Sequence, residues 1–229
     1  MLQVYIGYDE REHEAYEVAC KTLYKTSTIE AIPLVENRLR SQGLYWRNVD
    51  ARGGRAYDLP SNAHASTAFA ITRFFTPLLC QQGWALFTDC DVLFAEDVKP
   101  ILRHADPSKA VMVVKHDHRQ EGVKMDNQVQ VPYPRKNWSS VMLFNCNHPA
   151  NLRLTVEDIN RRPGRDLHAF YWLSDNEIGE LPPAWNWLVN VQDRPSNVKI
   201  IHYTNGGPWI AGWGPKPNDD IWLKAAKNG

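Results

Sequence analysis

The sequence predicts an α/β domain with a mostly parallel central sheet and helices on both faces. Three observations predict it. Short apolar, β-rich runs alternate along the chain with segments of helical period. No repeat, low-complexity tract or linker-like shift in composition divides the 229 residues, so 1–229 is expected as one domain, large enough to bury about 70% of its unfolded surface. Apolar residues make up 43% and charged residues 23%, the balance of a folded chain rather than a disordered one.

Residues 2–8 (LQVYIGY) are apolar and β-rich and break at Asp9, which gives a first strand. Ala15, Val18, Ala19, Thr22 and Leu23 then fall at i, i+3, i+4, i+7 and i+8, the stripe of an amphipathic helix. Residues 28–35 read as a second strand, and Pro33, with no N–H to give a neighbour, puts it at a sheet edge. The polar stretch 37–62 carries Gly43, Gly53, Gly54 and Pro60, and is expected as a partly helical excursion and a candidate lid. Ser66 is expected to cap a helix over 66–80 that Pro77 kinks or ends. Residues 84–88, 111–116 and 139–146 read as buried strands. Pro149 suits the first turn of a helix carrying Leu152, Val156 and Ile159. A short helix is expected from Asp175 to Leu181, stopped by Pro182-Pro183. Residues 197–204 give the last strand, and 205–229, rich in Gly, Pro and Trp, a tail that wraps a surface and ends in a short helix.

Twenty-six basic and 26 acidic residues balance, which argues against a general nucleic-acid binder. No apolar run approaches the roughly 18 residues of a membrane span, and the first residues lack the basic and apolar regions of a signal peptide. The four cysteines form no CxxC pair, so a reduced, cytoplasmic setting is expected. Nine Trp and nine Tyr fit either a core and its rim or flat faces for sugars and nucleobases.

The strongest local signal for chemistry is ALFTDCDVLF (85–94), where an apolar strand delivers Asp89 and Asp91. Strand side chains alternate, so the two carboxylates share one side. They sit where open α/β sheets bind ligands, beyond the carboxyl ends of the strands. Close carboxylates repel unless a cation lies between them, and Mn²⁺ or Mg²⁺ suits one or two carboxylates plus substrate phosphates. The plainer alternative is two loop aspartates capping a turn. A second signal is IIHYTNGGPW (200–209). His202 ends a strand and is a candidate third ligand, or else a hydrogen-bonded structural histidine. Gly206 and Gly207 would let backbone N–H groups approach an anion.

These two segments, with YIGYD (5–9), ASTAFAITRFFTPLL (65–79), SSVMLFN (139–145) and SDNEIGELPPAWNWL (174–188), resemble the retaining GT-A glycosyltransferases. They are most similar to family 8, the group of glycogenin and the bacterial lipopolysaccharide galactosyltransferases, and the resemblance covers most of the chain. It implies a GT-A, Rossmann-like fold, a nucleotide-diphosphosugar donor with UDP the expected nucleotide, and a glycan, lipid-linked or small-molecule acceptor. It also implies that Asp89, Asp91 and His202 bind the metal and diphosphate. Tyr8 and Asp9 would lie near the base or ribose, and Arg73 near the ribose, diphosphate or sugar. Ser139 and Ser140 would line the sugar pocket, and Asp175, Asn176 and Glu177 would lie near the reacting sugar as nucleophile, base or positioning groups. Three positions depart from the family pattern. Trp138-Ser139-Ser140 replaces Asn-small-Gly, Asn176 replaces a glutamine, and Gly207 replaces a lysine, leaving Lys216 or an arginine to meet the diphosphate.

Trp209 and Trp213 lie in a Gly-rich loop and are candidates for stacking on sugar or acceptor, whereas Trp185 and Trp187 suit the core as well as substrate. KHDH (115–118) reads as a polar loop before it reads as a metal cluster. Arg161, Arg162 and Arg165 read as a solvated turn, with peripheral contact at the inner face of a membrane as the alternative. Two other functions compete. A haloacid-dehalogenase-type phosphatase would use Asp89 and Asp91, but its motif opens its fold and here 88 residues precede it. A non-catalytic sugar-nucleotide-binding module would not require a diphosphate-and-metal site.

Overall fold

The chain opens with β1 (Leu2–Tyr8), turns through a 3-10 segment at Glu10–Glu12, and returns along α1 (His13–Thr26) to β2 (Ala31–Val35). The computed structural model describes residues 2–116, 135 and 137–227. α1 buries Ala15, Val18, Ala19 and Leu23, the stripe that the period predicts. β2 lies at the sheet edge with Pro33 opposite Ile6. Next come α2 (Glu36–Ser41) and a small antiparallel sheet of β3 (Val49–Arg52), β4 (Arg55–Asp58) and β5 (Ala63–His64). The excursion is therefore a hairpin as well as a helix. It docks through Arg47, fully buried, whose guanidinium donates to both Asp58 oxygens at 2.6 Å and to the Ile159 carbonyl at 2.8 Å.

The helical stretch that follows is in three pieces: α3 (Phe69–Thr72), a 3-10 turn at Arg73–Phe75, and α4 (Thr76–Cys80), with Pro77 in the first turn of the last. Ser66 does not cap it. The orphan N–H of Ala68 instead donates 2.9 Å to Asp9 Oδ2, so the capping carboxylate comes from the end of β1. β6 (Trp84–Thr88) and β7 (Val92–Phe94) flank the two aspartates, and β8 (Val111–Val113) and β9 (Val141–Asn145) complete the centre of the sheet. The expected helix after Pro149 is split into a 3-10 turn at Pro149–Arg153 and α5 (Val156–Arg161), because Thr155 and Asp158 form a capping box that restarts the helix. Leu152 is consequently left 80% exposed. α6 (Gly164–His168) follows. The segment expected as a helix over 175–181 is a 3-10 turn at Asp175–Glu177 running into β10 (Ile178–Glu180), since pairing with β8 takes its backbone groups. β11 (Trp187–Leu188), β12 (Ile200–His202) and α7 (Asp219–Lys227) end the described chain.

The central sheet has the order β10-β8-β9-β6-β1-β2. β9 alone runs against its neighbours; the other five strands share one direction. Residues on a strand face alternate sides, and the helices follow. Tyr8 meets Tyr16 of α1 edge-on at 5.1 Å, while Gly7, facing the other way, lies under the Phe69 ring of α3. Helices thus cover both faces, and the buried sheet residues Val4, Ile6, Leu86, Phe87, Leu143 and Phe144 form the centre of the core. A separate sheet, β11-β12-β7, lies beside the carboxyl end of β6. Among the described residues no helix is long and apolar enough to cross a membrane.

Candidate functional site

β6 carries Asp89 to the carboxyl end of the parallel strands. The Asp89 N–H still donates 3.0 Å to the Ser140 carbonyl, so the β6–β9 ladder holds the residue beyond the strand proper. Asp91 immediately precedes β7. Antiparallel pairing sets His202 of β12 opposite Val92, and the Tyr203 N–H donates 2.9 Å to the Asp91 carbonyl. That register brings the imidazole to the acids. One ligand atom from each of Asp89, Asp91 and His202 lies within 4.8 Å of the others, and His202 Nε2 is 3.2 Å from Asp91 Oδ1.

A hydrogen-bond chain behind His202 fixes the ring. The Asn137 carbonyl can only accept, so the Ser140 hydroxyl, 2.8 Å away, donates to it. Ser140 Oγ then accepts from Asn186 Nδ2 at 2.9 Å, which turns Asn186 Oδ1 toward His202 Nδ1 at 3.0 Å. Nδ1 therefore carries a proton, and in the neutral ring Nε2 presents its lone pair to the carboxylates. His202 is 1% exposed, yet among the described residues neither its Nε2 nor Asp91 Oδ1, which face each other, has a hydrogen-bond partner. Such a lone pair and a carboxylate oxygen repel until a proton or a cation lies between them. Burial opposes charge on the ring, the Asp91 carboxylate outweighs it, and the His202 pKa lies above its ordinary value. Two carboxylates and an imidazole whose outer nitrogen is fixed are a donor set for a divalent cation, and the residues fit one.

The cluster opens into a cavity of about 290 Å³. Arg73, 5% exposed, forms its inner wall. Its Nη1 lies 2.8 Å from Asp89 Oδ1 and donates to the Ser139 carbonyl at 2.8 Å, and its guanidinium lies over the Phe69 and Phe87 rings. Glu12 also lines the cavity and accepts from the Cys90 thiol at 3.5 Å. Burial, followed by the charges of Asp91 and Asp9, pushes the Glu12 carboxyl up to about 8. His168 also lines the cavity, with Nδ1 2.7 Å from Ser139 Oγ.

The structure thus brings together Asp89, Asp91, His202, Arg73, Ser139, Ser140 and Gly206, all lining one cavity. It places the other expected site residues elsewhere. Asp9 is 3% exposed, and its carboxylate is taken up by Arg11 and by the N–H groups of Arg11 and Ala68. Burial opposes the charge on Asp9, but those bonds hold its pKa below the ordinary value. Tyr8 packs on α1, beside His13 and Tyr16. Trp209 packs against Tyr203 and Trp222, and a Cβ on Gly207 would lie 2.1 Å from its ring. Trp213 donates to Asp219, and Lys216 lies over the Trp213 ring. Trp185 and Trp187 are both buried. Of the KHDH segment, Asp117 and His118 lie outside the described residues, and His116 contacts Gln192. Arg161, Arg162 and Arg165 pair with Glu157, Asp158 and Asp166. The polar excursion docks on α5 and lines a separate cavity.

Asp175, Asn176 and Glu177 are not brought to the cluster. They precede β10, which runs parallel to β8, and the Ala110 N–H at the start of β8 donates to the Glu177 carbonyl. The turn therefore lies at the amino end of the parallel strands, opposite Asp89. Asp175 pairs with Arg135 and is 92% exposed at its side chain. Glu177 bonds Ser174 and Arg153, which hold its carboxyl down at about 2.

Three cavity or cluster residues carried no usable sequence signal. Glu12 is one of several acids in DEREHE, and His168 is a lone histidine in a polar run. Asn186 closes the Pro-x-x-Trp-Asn stretch of the family-like segment 174–188, but that stretch carried no role for it.

No protein-family model matches the chain. Protein CDI of Arabidopsis thaliana is 43% identical over 230 residues, a match spanning 96% of this chain and 84% of that protein. Among solved structures, the glycosyltransferase GlyE of Streptococcus pneumoniae TIGR4 aligns with a TM-score of 0.60 at 13% identity, covering 98% of this chain and 59% of that one. The bifunctional glycosyltransferase WbbM aligns at 0.60 and 16% identity, covering 99% and 50%. The galactosyltransferase LgtC, solved with donor and acceptor sugar analogues, aligns at 0.57 and 13% identity, covering 100% and 96%. The chain spans little more than half of GlyE and half of WbbM, and at these identities the likeness establishes the fold. The chain belongs to the family of Arabidopsis Protein CDI and has the GT-A fold of family 8-like glycosyltransferases.

Proposed function

We propose that the protein is a metal-dependent, retaining glycosyltransferase that moves a sugar from a nucleoside-diphosphate sugar, with UDP the expected nucleotide, to a glycan, lipid-linked or small-molecule acceptor. The observation that carries the reading is the convergence of Asp89, Asp91 and the oriented Nε2 of His202 in one cavity of a GT-A fold. The three side chains would hold Mn²⁺ or Mg²⁺, which when bound neutralises charge on a departing diphosphate. The mixed oxygen and nitrogen donor set favours Mn²⁺.

The chain's own groups supply the rest. Asn186 and Ser140 keep His202 Nδ1 protonated, so Nε2 stays a ligand. Arg73 positions Asp89 and ties it to the Ser139 backbone. Thr204, Asn205, Gly206 and Ile210 of the tail line the mouth, and closing there would keep water from the donor. The cavity's carboxylates, among the described residues, are Glu12, Asp89 and Asp91. All three gather at the cation cluster, which favours acceptor attack from the leaving group's own face over a covalent intermediate.

The test is calorimetric titration of UDP and of GDP with and without Mn²⁺, alongside assay of p-nitrophenyl phosphate. Nucleotide binding that requires the metal, with no phosphatase turnover, is the expected result. Turnover of the phosphate ester, or binding indifferent to metal, would overturn the reading.

A further inference from the structure

We propose that a second cavity, between α1, α7 and the end of β7, binds an organic phosphate, a phosphomonoester carried on an apolar body. The site shares no residue with the metal cluster and does not depend on the glycosyltransferase reading. Its volume is about 390 Å³, against about 290 Å³ for the cavity at Asp89 and Asp91. α1 separates the two. Glu12, just before the helix, lines the first cavity, and Lys21, Lys25 and Thr26 near its other end line the second. Phe94 and Ala95 at the end of β7, with Ile221 and Ala225 one turn apart on α7, give the second cavity an apolar floor.

The charge around that floor is of one sign. Lys21, Lys25 and Lys224 line the cavity and, among the described residues, no acid does. Elsewhere on the surface, residues four apart on a helix pair opposite charges, as Arg40 does with Glu36, Arg161 with Glu157 and Arg162 with Asp158. On α1 the same spacing sets Lys21 beside Lys25, a repulsive pair. The helix dipole favours Lys25 and Lys224 in the last turns of α1 and α7. It explains neither Lys21, a turn earlier, nor the meeting of two helices' lysines at one cavity. Among the described residues none of the three forms an ion pair. An anion between them removes the repulsion. The threonines leave that task to the lysines. Thr22 Oγ1 donates to the Ala19 carbonyl at 2.9 Å and accepts from the Phe94 N–H at 3.1 Å, and Thr26 Oγ1 donates to the Thr22 carbonyl at 2.8 Å. Both hydroxyl protons are spent. Lysine is a compact charge on a flexible stem, so three of them can close on a tetrahedral phosphate from different sides. The apolar floor then takes the body that bears the phosphate.

The experiment is calorimetric titration in EDTA, so that no divalent cation can hold a phosphate at Asp89, Asp91 and His202. The probes are monomeric dihexanoyl phosphatidic acid, glycerol 3-phosphate, and phosphatidylcholine vesicles with and without one-fifth phosphatidic acid. Dihexanoyl phosphatidic acid is expected to bind, and glycerol 3-phosphate at least about tenfold more weakly because it leaves the floor uncovered. Affinity should fall as salt rises. K21Q, K25Q and K224Q should each weaken binding by about two- to fivefold, and the triple variant by more than about tenfold. K109Q, which removes the same charge at the start of β8, should change it by less than about twofold. Two sources of the phosphate give different results, and either supports the proposal. Binding to the acidic vesicles, lost in the triple variant, identifies a lipid headgroup; binding of the monomer alone identifies a free organic phosphate. No binding of any probe, binding that survives the triple variant, a loss in K109Q equal to that in K21Q, or equal affinity for glycerol 3-phosphate overturns it.

Discussion

Two ends of one sheet carry aspartates and glutamates, and they are built in opposite ways. At the carboxyl end, Asp89, Asp91 and Glu12 gather around one cavity, where Arg73 reaches Asp89 and His202 faces Asp91. At the amino end, the exposed Asp175 and the half-buried Glu177 each have their own arginine, Arg135 and Arg153. The first arrangement concentrates carboxylates beside a histidine whose Nε2 faces Asp91, which favours a proton or a cation between them. In the second, each acid is already paired with a cation. Acid content alone does not mark a site; the ratio of acids to cationic partners does.

The largest break in this contrast comes from the carboxyl end. Asp91→Asn should lower Mn²⁺-dependent UDP affinity at least about a hundredfold while leaving the circular dichroism spectrum unchanged. An intact affinity would make the acid cluster structural, like its counterpart. Next in size is the support behind His202. Asn186→Ala frees the ring to rotate or change tautomer, and should weaken Mn²⁺ binding by about 10- to 100-fold, with Ser140→Ala a milder version. Metal affinity unchanged in both would mean that the hydrogen-bond chain orients nothing.

Much of the fold could be read from the chain because burial wrote it there. α1 follows its apolar stripe, β2 its edge proline, and β6 its apolar run into Asp89. The hairpin of β3 and β4 was hidden because its strands, VDAR and RAYD, are polar and rest on a small sheet rather than on the core. The two-residue Gly53-Gly54 turn, with both φ values positive, was its one signal. The turn at 175–177 shows the converse. Its residue types match a family motif, but three residues of β10 paired with β8 set it at the amino end of the sheet, away from Asp89. Local sequence cannot express that. Asp89, Asp91 and His202 were legible because each ends or follows an apolar strand. Asn186 lies in a family-like stretch, but its bond to His202 and that of His168 to Ser139 are made only in three dimensions.

Asp9 sharpens the comparison at smaller scale, as an acid at the carboxyl end that is fully partnered. Asp9→Asn should cost about 1–3 kcal/mol at neutral pH by urea unfolding. The folded carboxylate titrates below its ordinary value of 3.8. Its contribution is therefore complete above about pH 4 and vanishes as the pH falls through the lower, folded value. The wild type and the variant should converge in acid; a gap that persists there would make the loss one of shape rather than charge. Smallest of all, Asp175→Asn should change transfer and UDP affinity by less than about twofold, as exposed pairs contribute little. A loss of a hundredfold would place the reacting centre at the amino end and reverse the comparison.

The most direct measurement is anomalous diffraction from crystals grown with MnCl₂ and UDP. The account predicts one strong manganese peak within about 2.5 Å of Asp89 and Asp91 carboxylate oxygens and of His202 Nε2. A peak held by other residues, or none there with nucleotide bound, would contradict it.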